Sequence, residues 1–349
     1  MGVKRILLAR LGMLLLLVSG APQADIVSDL HSAQVPVAEQ SSRALATGAG
    51  RALAQVLVKV SGSFELLENS AVQDQLKNAR GQVQQYAYLR DANGIEGLSA
   101  RFEFDSGYIT QLVASAGAPL WTANRPLVLA WVVLESPEGR QFVSWEATPE
   151  RAQALTLAFS RRGVPVQLPL FDLADTAVSV DDVWLRDATI MQAASARYDV
   201  ENIAVGRMTL LSNDALIGDW TYFYLDERSD RAVNASNTEG FMEEGVGLVA
   251  QKMAARYAVA ATGESAGNVR MSVAGVYSYA DYAGIVNWLQ SLELIEYANV
   301  ERIFQDRIDL RLQANADAAQ LAAIIELNSR LQRVENGQFP TQLSYQWLN

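Results

Sequence analysis

The residue types that usually carry covalent or metal chemistry are almost missing from this chain, which has one histidine, His31, and no cysteine among 349 residues. A Ser-His or Cys-His nucleophile pair would need that single imidazole. His31 lies in a polar stretch near the amino end, where an exposed histidine is the simpler reading. Zinc or copper held by nitrogen and sulfur ligands is excluded by the same count. We therefore expect no catalytic residue, no metal site and no cofactor. Carboxylates remain. Asp181 with Asp182, and Asp226 with Glu227 and Asp230, could offer oxygens to a hard cation, but neither group has calcium-loop spacing. The first pair reads as a helix start, where a cap is needed and negative charge suits the dipole, and the second group as a solvated hairpin turn. Gly245-Val246-Gly247 lacks the lysine and hydroxyl of a phosphate loop and falls inside an amphipathic pattern, so it predicts close helix packing.

Two residues stand out as binding candidates, Trp121 and Arg125. Trp121 belongs with Trp131 and Trp145 to a group that could stack on a sugar or peptide, although Trp131 sits in an apolar run that favours core packing. Arg125 directly precedes Pro126, which forces extended backbone on it, at the entry to a predicted central strand. Its guanidinium could tie down loop carbonyls or face a partner, and the structural role is the favoured one.

The elements that must position these residues fall into three parts after a leader. Lys4, Arg5 and Arg10, the apolar run Leu11 to Val18, and the small residues Ser19, Gly20, Ala21 and Ala24 predict a signal peptide over 1–24. The run is too short to span a bilayer, and the chain has no cysteine to carry a lipid anchor. Pro22 leaves the cut open between Gly20 and Ala24. In the first part, 25–118, an extended segment at Val35 and Val37 precedes a helix from Leu45 to Val60 ended by Ser61-Gly62-Ser63. Asn69 then caps a second helix, and strands Val83 to Leu89 and Leu98 to Phe104 flank an Asp91-Ala92-Asn93-Gly94 turn. In the second, 119–262, Leu127 to Leu134 predicts a strand buried on both faces. A partner strand at Gln141 to Trp145, a helix from Thr148 to Gly163 and a short strand at Val164 to Leu168 follow it. Beyond these come a helix over Asp181 to Tyr198, a strand at Asn202 to Met208, a hairpin pairing Trp220 to Leu225 with Ala232 to Ala235, and a closing helix through Tyr257. In the third, 263–349, a Gly263 to Gly267 linker leads into the order strand, helix, strand, strand, helix, strand, the ferredoxin-like pattern. The fold class is α+β, or mixed α/β, with three small modules in series.

The formal charge is -11, and loss of Lys4, Arg5 and Arg10 takes it to about -14, which repels a phosphate backbone and argues against nucleic acid as a partner. The segments Val35-Pro36-Val37, Leu57-Val58-Lys59-Val60-Ser61-Gly62, Pro119-Leu120-Trp121, Asn124-Arg125-Pro126 and Leu129-Ala130-Trp131 resemble the exported bacterial family catalogued as domain of unknown function 2066. The stretch Tyr198 to Arg207 closes a part similar in pattern to periplasmic domains of the TolB amino-terminal and curli-secretion-lipoprotein type. A flagellar T-ring assembly factor has a comparable arrangement, from which the third part here departs. The resemblance implies compartment and fold and carries no catalytic residues. Two functions are consistent with all of this: a non-enzymatic adaptor or assembly factor of the cell envelope with protein partners, and a periplasmic binding protein for a small molecule, sugar or peptide. A hydrolase using carboxylates alone is the least favoured.

Overall fold

The computed structural model describes residues 25–27, 29–92, 95–260, 268–292, 294–314, 316–328, 330–334 and 343–348. The predicted leader, the Asn93-Gly94 half of the first hairpin turn and the Gly263 to Gly267 linker lie outside the described residues.

The first part contains β1 (Asp25–Ile26), β2 (Ser32–Pro36), α1 (Ser42–Ser61), α2 (Ser70–Lys77), β3 (Val83–Ala92), β4 (Ile95–Phe104) and α3 (Ser106–Ser115). α1 starts where Ser41 accepts from the Ala44 N–H, and it ends at Gly62, which takes the left-handed φ of 75° that a side chain disfavours. Its apolar stripe, from Leu45 to Val60, is buried. Asn69 caps α2 as predicted. The helix α3 was not foreseen. Asp105 caps it by accepting from the Tyr108 N–H, and it buries Ile109, Leu112 and Val113. The strands form an antiparallel sheet in the order β2-β4-β3. Phe104 N–H donates to His31 O and Val37 N–H to Leu98 O, so alternate residues from His31 to Val37 face β4 while Ser32, Gln34 and Pro36 turn their main-chain groups outward. On that outer edge Lys59 Nζ donates to Ser32 O and Arg51 to Pro36 O.

The middle part runs β5 (Pro119–Leu120), β6 (Asn124–Arg125), β7 (Val128–Ser136), β8 (Gly139–Phe142), α4 (Pro149–Arg161), β9 (Val166–Gln167), α5 (Val180–Leu185), α6 (Ala188–Ser195), β10 (Asn202–Leu210), β11 (Leu216–Tyr224), β12 (Glu227–Ala235), α7 (Thr238–Tyr257) and β13 (Val259–Ala260). Its sheet has the order β12-β11-β10-β7-β8, with β9 also paired to β7. The apolar run in β7 is buried on both faces, as predicted. Val128, Ala130, Val132 and Leu134 join a core with α4 and α7 residues, while Leu129, Trp131 and Val133 join one with Val183 and Met191.

Several expectations need correction. The helix foreseen over Asp181 to Tyr198 is two helices, broken at Arg186, whose φ of 54° is left-handed, and restarted by an Asp187 cap. β8 stops at Phe142, short of Trp145, and β9 is only two residues long. The β11–β12 hairpin pairs Leu216 with Ala235 and Tyr224 with Glu227, so Leu225 and Asp226 alone make the turn, and Asp230 lies in the strand opposite Thr221.

The third part comprises β14 (Asn268–Ala274), α8 (Tyr279–Ser291), β15 (Ile295–Phe304), β16 (Arg307–Ala314), α9 (Ala318–Ile325), β17 (Leu331–Arg333) and β18 (Leu343–Trp347). The ferredoxin-like order is present with one strand added. β17 pairs antiparallel to β18, so β18 enters the sheet between β17 and β14 and runs parallel to β14. The class is α+β, built from several small units. Their cores are not all separate, because buried residues of the first and third parts, from Leu30 to Val113 and from Val269 to Trp347, belong to one hydrophobic cluster. The pairings β1 with β6 and β5 with β13 tie the middle part into the same body.

Candidate functional site

Arg125 lies where these parts meet, and it is fully buried. Its five N–H groups reach five main-chain carbonyls: Nε donates to Thr122 O at 2.8 Å, Nη1 to Arg162 O at 3.1 Å and Gly163 O at 2.9 Å, and Nη2 to Lys59 O and Trp121 O at 2.8 Å each. The guanidinium also stacks on the Trp121 ring, with its carbon 3.9 Å from the centroid. The end of α1, the β5–β6 loop and the end of α4 are thus fastened to one side chain. Trp121 is fully buried as well. Of the two roles open to Arg125, tying down carbonyls is the one the geometry has; neither Arg125 nor Trp121 presents a surface to a partner. Gly163 makes room for this arrangement. Its φ is left-handed at 62°, and a Cβ there would lie 2.6 Å from Lys59 Cγ and 2.9 Å from Arg125 Nη1.

The other sequence candidates do not gather into a site. The three tryptophans form no platform. Trp121 packs on one face of the middle sheet, and Trp131 packs on the other, donating to Ser195 Oγ at 3.2 Å. Trp145 is 56 % exposed. His31 is half-buried rather than exposed, and burial, followed by the nearby Lys59, holds its pKa below the usual value. Asp182 closes a capping box with Ser179, and Asp181 pairs with Arg140, so the first acidic pair is a helix start. Glu227 pairs with Arg256, and Asp230 with Arg228 and Arg186. Among the described residues, no group of three His, Cys, Asp or Glu could hold a metal ion. At Gly245, helix packing is the right reading: a Cβ would stand 2.1 Å from Trp220 Cε2.

What the sequence candidates leave out is a groove between α1 and α4. One cavity of about 410 Å³ is lined by Lys59, Arg101, Trp145, Gln153 and Arg161 among others. A second, of about 260 Å³, is lined by Val58, Phe64, Leu67, Arg161, Arg162 and Glu243 among others, and the two share Gln55 and Arg161. Lys59 is only 6 % exposed. Its ammonium donates to Asp29 O at 3.0 Å and Ser32 O at 2.9 Å, and burial together with the Arg125 charge pushes its pKa down to about 8. Arg162 is 8 % exposed and sits over the Phe64 ring, 4.5 Å from its centroid. It donates from Nη2 to Gly62 O at 3.2 Å, its Nε and Nη1 have no hydrogen-bond partner among the described residues, and burial followed by the Arg231 charge lowers its pKa to about 10. Neither Lys59 nor Arg162 forms an ion pair among the described residues, whereas Arg101 pairs with Asp29 and Arg161 with Glu239 and Glu243. One sequence signal existed. Lys59 is a lone cation within the apolar end of α1, between Val58 and Val60. Arg162 gave none, because an arginine after the last turn of a helix is commonplace.

The fold and groove define a multi-unit α+β body with a cationic groove at a junction of its parts. A family model described as domain of unknown function (DUF8605) matches residues 24–122, a span that takes in the first part, β5 and the start of the β5–β6 loop. No curated protein and no solved structure matches the chain. Among the described residues, no helix is long and apolar enough to cross a membrane.

Proposed function

We propose that the protein is an exported, non-enzymatic component of the bacterial cell envelope, working in the periplasm as an adaptor or assembly factor. The observation that carries this reading is the junction at Arg125. A guanidinium bonded to carbonyls from three stretches fastens the first and middle parts to each other, as a scaffold for protein partners needs. The amino-terminal leader and the likeness to the exported family catalogued as domain of unknown function 2066 support the compartment. The likeness of the middle part to TolB amino-terminal and curli-secretion-lipoprotein domains supports the kind of work. The acidic balance agrees with a partner other than nucleic acid. The test is crosslinking in cells, followed by pull-down of a carboxy-terminally tagged chain from periplasm. A stoichiometric envelope protein in the eluate supports the proposal, and a monomer with no partner overturns it.

A second reading, a periplasmic binding protein for a small molecule, sugar or peptide, is favoured by the cavity of about 410 Å³ at the groove. Thermal-shift screening against sugars, peptides and nucleotides tests it, since a ligand that binds the folded chain raises the midpoint by an amount that grows with the logarithm of one plus the ratio of free ligand to Kd. A screen without a hit removes it.

A further inference from the structure

We propose that the groove between α1 and α4 is the docking site for an extended acidic segment of a partner protein, whose two carboxylates flank an apolar residue. The inference rests on the adaptor reading and names the chemistry of the partner.

Buried charges in proteins are ordinarily paired, because an uncompensated ion loses its hydration and regains too little from neutral dipoles. Here two cations break that rule side by side. Lys59 lies under one cavity with only carbonyl acceptors, and Arg162 lies under the adjoining cavity with one carbonyl and two buried nitrogens that have no acceptor among the described residues; the nearby carboxylates, Asp29 and Glu243, are bonded to Arg101 and Arg161 instead. The Arg125 guanidinium is bonded to the main chain of both residues, so a third positive charge sits between them. Carboxylates entering the groove would place opposite charge above both cations and beside Arg101 and Arg161, which also line it. The remaining lining suits peptide better than a compact diacid. Gln55, Gln153 and Ser160 can pair with main-chain amides, and Phe64, 63 % exposed beside Leu67 and Val58, offers an apolar seat. Two cavities of about 410 and 260 Å³ that share Gln55 and Arg161 also offer far more room than one compact dicarboxylate fills.

The test uses the full mature chain and an array of amidated heptapeptides carrying Asp or Glu on either side of Leu, Ile or Phe. The matching Asn and Gln peptides serve as controls, glutarate as a compact diacid, and affinities are measured by calorimetry. The expected result is saturable binding of acidic peptides, at least tenfold tighter than their amide counterparts and weakening at least tenfold between 50 and 500 mM salt. Binding should be lost in Lys59→Met and reduced at least fivefold in Phe64→Ala, an exposed position whose change leaves the fold intact. Acidic and amide peptides binding alike, or acidic peptides that bind Lys59→Met and Phe64→Ala as they bind the parent, would overturn it. Glutarate binding as tightly as the peptides would overturn the peptide assignment in favour of a small diacid. If no peptide binds while a partner is still captured from periplasm, the docking site falls and the adaptor reading stands.

Discussion

At the scale of the residue, the stability of the junction rests on donors rather than on ion pairs. Replacing Arg125 with methionine keeps the apolar stem and strands five carbonyls, so we expect a loss of about 3 to 5 kcal/mol in denaturant unfolding. Arg125→Lys should recover only part of it, because three N–H donors cannot reach five acceptors. Lys59 predicts a pH signature. Its folded pKa of about 8 lies below the ordinary value of 10.5. Between those limits the unfolded chain therefore binds more protons than the folded one, and the Lys59 contribution to stability rises with pH. Below about 8 that gain is absent. The difference in unfolding free energy between the parent and Lys59→Met should shift in favour of the parent as pH is raised from 8 to 10, and a flat difference across that range would refute the assignment. Such residue-level features were only half legible beforehand. The Arg125-Pro126 step marked an anchored arginine, but the carbonyls it serves lie 66 positions away at Lys59 and 38 away at Gly163, and only the fold brings them together.

Elements were legible where the pattern was local. α1 shows a continuous apolar stripe with a serine cap and a glycine stop, and β7 a run with no polar interruption; both formed as expected. α3 escaped because it directly follows β4, and its cap, Asp105, reads equally well as the end of a strand. The expectation can be checked simply: Asp105→Ala should cost about 1 kcal/mol, the ordinary worth of an amino-terminal cap. The β11–β12 register was misread for a physical reason. β12 is the last strand of its sheet, so its outer positions are solvated and carry Glu227, Arg228 and Asp230, whose charges imitate a turn. The packing of α7 on this sheet gives a sharper test. Trp220 lies against Gly245 and Gly206 and donates to Phe241 O. Gly245→Ala should destabilise by about 1 to 3 kcal/mol through overpacking, and Trp220→Phe in the same background should relieve part of that strain, a coupling that a double-mutant cycle measures.

For the whole molecule, composition and spacing divide the chain into three parts, yet they give no sign that buried residues of the outer two belong to one hydrophobic cluster. Nothing in a local pattern says that the apolar residues of the third part will join one cluster with those of the first, since both sets have the same periodicity whether they are linked or stay apart. The shared core predicts joint melting. Calorimetry on the chain should show the first and third parts unfolding in one transition, and two transitions separable by deletion of residues 268–349 would contradict it.

The guarded edge of β2 has a consequence of its own. An open strand edge is an invitation to any other extended chain, including another copy of the same protein. In β2 the carbonyls of Ser32 and Pro36 are already occupied by Lys59 and Arg51, so a passing strand meets two cationic side chains instead of free acceptors. By occupying Ser32 O, Lys59 takes away one acceptor that a second copy would need to pair along this edge. Its removal should reveal itself as slow oligomer growth at high concentration, before any change in the fold of the monomer.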